Sequence, residues 1–155
     1  MRILGLSCCI ALVVACARTD QDAATDSAAA ATDTASASTI SLADLAGRWN
    51  VTATPVGGDT MRTRYVLTAT ADTTGWTITF PNRDPIRTRV VAVRGDSVEL
   101  MAGPYESVRR RGVQVTTHSI LRKEGDRLVG VTHASYATTG ADTALTLRTE
   151  GTRAP

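Results

Sequence analysis

From Gly47 onward, apolar side chains recur at every second position, and each such run is cut off by a turn rich in Gly, Asp or Pro. That period belongs to β-strands with one buried face, because successive side chains leave opposite sides of an extended backbone. In the first run, Trp49, Val51 and Ala53 alternate with Arg48, Asn50, Thr52 and Thr54. A five-residue loop from Val56 to Thr60 would set Trp49 opposite Leu67 and Val51 opposite Tyr65. The turn Asp72-Thr73-Thr74-Gly75 then returns Trp76, Ile78 and Phe80 to the same face. With four loop residues, Ala69 would meet Ile78 and Leu67 would meet Phe80, collecting the large apolar groups on one side.

The remaining runs read in the same way. Ile86 to Val93 and Ser97 to Met101 join at Gly95-Asp96, and Gly103-Pro104 breaks the pattern. Tyr105 to Arg111 is either a short strand or an edge loop. Val113 to Lys123 and Arg127 to Tyr136 form a hairpin at Gly125-Asp126, with Glu124 facing Arg127. Asp142 to Glu150 is the last strand, Leu145 and Leu147 facing inward. Eight strands result, or nine if Tyr105 to Val108 pairs. Short antiparallel strands in sequence order predict an all-β fold, a small antiparallel up-and-down barrel.

The part before the strands has a different composition. Arg2 precedes an apolar run from Ile3 to Ala15, long enough for a signal-peptide core and too short to span a bilayer comfortably. Its end, Val13-Val14-Ala15-Cys16, resembles the lipobox of bacterial lipoproteins. The resemblance implies removal of residues 1–15 and a lipid on Cys16, which supplies the thiol. Ala17 after the Cys favours the outer membrane, facing the periplasm. From Ala17 to Thr39 the chain is Ala, Thr, Ser and Asp with hardly another type, and it has nothing to bury against its ordering entropy. It reads as a disordered tether with a coil span of roughly 25–30 Å. The expected organisation is thus a signal peptide over 1–15, lipidated Cys16 and tether over 16–40, and a barrel domain over 41–155. Ser41, with Asp44 three residues on, caps a single helical turn ahead of the first strand.

Gly47-x-Trp49 after a one-turn helix, together with Arg153 at the end of the last strand, resembles the lipocalin-like (calycin) barrels. The resemblance implies a floor closed by Trp49 with Arg153 packed across it, and small-molecule binding in the barrel. An antiparallel last strand would bring Arg153 beside Trp49, in position for a cation–π contact.

Composition excludes several other classes. The cysteines, Cys8, Cys9 and Cys16, all precede the barrel, so it has no disulfide framework and no Cys-based metal site. Gly47 to Pro155 carries fifteen Lys/Arg against ten Asp/Glu, but export makes nucleic acid an unsuitable partner. Arginine and threonine on the outward faces, without an aromatic girdle, argue against a membrane-spanning barrel. No nucleophile–base pair, paired carboxylates or phosphate loop is present, so neither an enzyme nor a cofactor is expected.

Candidate pocket residues are Tyr65, Trp76 and Phe80, which with aromatics at only 4% of the chain could equally be the core itself. His118 and His133 add to them, because the Gly125-Asp126 turn places them directly opposite each other. Without a third ligand they read as a polar pair first and as a metal or anion site second. Arg109-Arg110-Arg111 reads as a solvated loop, with contact to anionic lipid or polysaccharide as the alternative. Two functions are carried forward. One is a lipid-anchored envelope protein binding a small apolar or amphipathic ligand. The other is an envelope structural or accessory lipoprotein with a filled barrel that acts through its surface.

Overall fold

The computed structural model describes residues 39–140 and 142–155. The expected signal peptide, Cys16 and the tether up to residue 38 lie outside the described residues. The rest is one closed barrel of eight strands, each antiparallel to its sequence neighbours: β1 (Gly47–Pro55), β2 (Thr63–Ala69), β3 (Thr77–Thr79), β4 (Ile86–Arg94), β5 (Ser97–Glu106), β6 (Gln114–Glu124), β7 (Arg127–Tyr136) and β8 (Ala144–Arg153). Closure comes from β1 and β8, which pair from Trp49↔Arg153 to Pro55↔Leu147. A closed sheet leaves no edge for another chain to extend.

The helix α1 (Leu42–Leu45) precedes β1. The Ser41 side chain accepts from the Ala43 N–H, and the Asp44 carboxylate reaches back to the Ser41 N–H. Leu45 is buried, and half-buried Ile40 donates its N–H to the Gly95 carbonyl at 2.8 Å. Ile40, expected in the tether, is therefore already part of the barrel.

Most of the expected register is present. Trp49 faces Leu67, Val51 faces Tyr65, and Glu124 faces Arg127. The β2–β3 register differs. Leu67 stands opposite Ile78 rather than Phe80, a shift of two residues. The cause is the turn chemistry. The Asp72 carboxylate accepts the Thr74 N–H at 2.7 Å and the Thr74 hydroxyl at 2.8 Å, while the Thr70 hydroxyl bonds the Thr74 carbonyl. These bonds widen the connection to residues 70–76 and shorten β3 to three residues. A shift of two preserves which face is buried, so the apolar face survives the error. The segment after Gly103-Pro104 also differs: β5 continues through it to Glu106 across an irregularity between Ala102 and Tyr105. Gly103 has φ +112°, and a Cβ there would lie 2.6 Å from the Val115 carbonyl oxygen, so only glycine lets β5 stay this close to β6.

The core has two parts. Leu45, Trp49, Leu67, Trp76, Leu121 and Leu128 fill the end beside α1. Ala53, Val115, Ala134, Tyr136 and Leu147 form a thinner cluster toward the other end.

Candidate functional site

The floor is built around Trp49, which is 0% exposed. Its indole N–H donates to the Leu45 carbonyl at 2.8 Å, which fixes the ring under α1. The Arg153 guanidinium lies 4.4 Å from the ring centroid and donates to the Asp44 and Ala46 carbonyls, each at 2.7 Å. One side chain thus covers the tryptophan and satisfies carbonyls at the helix end. Gly47 has φ +125°, and a Cβ there would sit 2.8 Å from the Arg153 Nη1, so its hydrogen makes room for the arginine.

Trp76 belongs to this floor and not to the pocket in which it was expected. Its indole N–H donates to the Asp72 carbonyl at 2.7 Å, and the wide β2–β3 connection carries the ring to the closed end. His118 and His133 are also corrected. They stand directly opposite each other, but both face outward, because Val115, Ser119 and Leu121 take the inward positions of β6. His118 Nε2 lies 3.4 Å from a Glu99 oxygen, and His133 Nδ1 lies 3.3 Å from the Thr146 hydroxyl. Among the described residues, no group of three or more His, Cys, Asp or Glu is placed to hold a metal ion.

Tyr65 and Phe80 do face the lumen. The Tyr65 and Phe80 ring centroids are 5.6 Å apart, and Phe80 lies 5.7 Å from Tyr105, both pairs tilted. Around these rings is a cavity of about 60 Å³, with Ala53, Leu100, Thr117, Thr132 and Leu147 in its walls. Occupied by water-sized groups at ~10–15 Å³ each, it has room for about four to six.

One wall is lined with hydroxyls. Ser119 bonds Thr132 at 2.8 Å, Thr132 bonds Thr149 at 2.8 Å, and all three are buried. The Tyr65 and Tyr105 phenols face the same lumen as the Thr132 and Thr117 hydroxyls. Burial raises the pKa of both phenols above the ordinary value; at Tyr65 the neighbouring Tyr105 adds to it, and the nearby Thr132 hydroxyl only partly opposes it. The lumen therefore disfavours negative charge.

The loop 107–113 folds over the open end. Buried Ser107 accepts the N–H groups of Arg109 and Arg110, each at 3.1 Å. Arg109, its side chain only 8% exposed, donates to the Met61 carbonyl and to the Thr63 hydroxyl at 3.2 Å, and pairs with the Asp59 carboxylate. Arg110 donates to the Asp142 carbonyl and lies 4.1 Å above the Tyr136 ring. The expected solvated arginine loop is thus a latch with two half-buried arginines, and Arg111 alone of the three is exposed.

The hydroxyl wall and the latch were not singled out from the sequence. The first was legible: the hairpin rule that pairs His118 with His133 also pairs Ser119 with Thr132, one step along on the inward face. The second was not, because nothing local to Arg109 announces Asp59, fifty residues away. Comparison with models of protein families, with curated proteins and with solved structures finds no match to this chain.

Proposed function

We propose that this chain is a lipid-anchored cell-envelope protein, lipocalin-like and not an enzyme, whose barrel binds a small apolar or amphipathic molecule. The observation that carries the reading is the cavity beneath the latch, enclosed by aromatic and aliphatic side chains with a few hydroxyls on one wall. The signal-peptide pattern and Cys16 support the anchor, and Ala17 supports the outer membrane, on its periplasmic side. The chain joins the barrel at Ile40, beside the closed end and away from the mouth.

A second reading, a filled barrel acting through its surface, is favoured by the cavity's size. Its 60 Å³ is well below the ~300–1,000 Å³ of ordinary small-molecule pockets. Native mass spectrometry of protein purified from its own host separates the two. The first reading expects a diacylglyceryl adduct on Cys16 and a non-covalent small molecule that departs on denaturation. An acylated protein with no such molecule, and no saturable binding of small apolar probes, selects the second. An unmodified Cys16 removes the anchor from both.

A further inference from the structure

The lumen's chemistry narrows the ligand class. Among the described residues, the polar side chains lining the cavity are hydroxyls, with one exception at the mouth. The exception, Arg109, already pairs its charge with Asp59 and donates to Met61 and Thr63. Among the described residues, no carboxylate lines the cavity to receive a cation. An anionic ligand would find its cation engaged, and a cationic ligand would find no counter-charge. Either would enter an apolar space without a partner, and desolvation then opposes binding.

A neutral oxygen meets neither obstacle. Hydroxyls rotate to donate or to accept, so a ligand oxygen can bond the lining hydroxyls of Tyr65, Thr132 and Ser119, the last two backed by the bond from Thr132 to Thr149, without leaving a buried group unpaired. The aromatic step Tyr65–Phe80–Tyr105 gives a short hydrocarbon chain its contact surface. We infer that the barrel selects neutral, oxygen-bearing molecules of about six non-hydrogen atoms, such as short alcohols or ketones, and rejects their carboxylate and ammonium counterparts. This rests on the lumen-binding reading above. Burial in the same surroundings raises the pKa of both tyrosine phenols, which supports the exclusion of anions.

The test is an NMR titration of the full chain, read at the Leu100 and Leu147 methyls, with 1-pentanol, pentanoate and pentylammonium at neutral pH. Pentanol should saturate, and each ion should bind at least tenfold more weakly. Tyr65→Phe and Tyr105→Phe retain the rings and remove the hydroxyls. At least one of them should weaken pentanol about fivefold, the factor set by loss of one net hydrogen bond of about 1 kcal/mol. Pentanoate or pentylammonium binding as tightly as pentanol would overturn the inference and leave the lumen-binding reading standing. Unchanged pentanol affinity in both variants would do the same to the role of the hydroxyls. Failure of all three probes to bind would overturn the lumen-binding reading and the inference with it.

Discussion

Three contacts meet on the Trp49 side chain: burial among the floor residues, the indole hydrogen bond to Leu45, and the Arg153 guanidinium across its face. Trp49→Ala removes all three and leaves a void, so it should cost about 3–5 kcal/mol in a denaturant melt. Arg153→Ala removes the cation and uncovers the Asp44 and Ala46 carbonyls, and should cost about 1–2 kcal/mol. Because they share one contact, the double variant should be less destabilised than the sum of the singles. Strict additivity would show that Arg153 serves only the helix carbonyls. Gly130 makes a different demand. A Cβ there would lie 2.0 Å from the Ile120 carbonyl oxygen, which belongs to the β6 ladder and cannot move away cheaply. Gly130→Ala should therefore destabilise by about 2 kcal/mol or more, well beyond an ordinary surface substitution. A melting curve matching the parent would show that β6 and β7 have more slack than their spacing implies.

The strands are unequally tied. β6 and β7 share ten paired positions, whereas β3 shares three with β2 and two with β4. Amide hydrogen exchange should find Thr77–Thr79 the least protected strand, opening below the global unfolding free energy. Equal protection across all eight strands would contradict this. The connection before β3 depends on Asp72, whose carboxyl is held below the usual carboxylate range, first by the Thr74 N–H and then by the Thr74 hydroxyl. Its contribution is present above the ordinary Asp value and is lost as pH falls through the lowered one. Asp72→Ala should accordingly flatten the acid side of a stability–pH curve, and an unaltered acid side would mean the bonds do not persist in solution. The same connection marks where sequence reading stopped. Alternation alone placed Trp49, Val51, Leu67 and Ile78 inside, and turn length placed Glu124 opposite Arg127 and His118 opposite His133. For β2–β3, a side-chain-bonded turn of seven residues replaced the four-residue one that composition implied, which moved Phe80 off Leu67 and drew Trp76 into the floor. Parity along β6, counted from Val115, would have placed both histidines outside. The latch depends on contacts between distant loops, which no local pattern carries.

Taken together, the barrel is closed at one end by packing and at the other by polar contacts. The floor buries Trp49, Trp76, Leu45 and Leu128, and opening it would require exposing them all. The mouth is held by Arg109 to Asp59, Met61 and Thr63, and by Arg110 to Asp142 and Tyr136. Bonds of this kind contribute about 0.5–1.5 kcal/mol each, or about 1.5–3 kcal/mol where a charge takes part, so they can break without the strands separating. Exchange of any lumen occupant should therefore proceed through the latch. Arg109→Gln keeps one donor group on a shorter side chain and gives up the ion pair and the forked geometry. If the latch is the barrier, lowering it by about 1.4 kcal/mol should raise the entry and exit rates together, about tenfold each. The affinity should change less than either rate, because the polar contacts of Arg109 go to Asp59, Met61 and Thr63. Line-shape analysis of the lumen methyl signals during a pentanol titration measures both rates. The competing route is the wall at β3, where the fewest pairs hold the sheet. If Arg109→Gln leaves both rates unchanged while Thr77→Pro, which removes a ladder donor from β3, raises them, the entrance is in the wall and the latch only finishes the mouth.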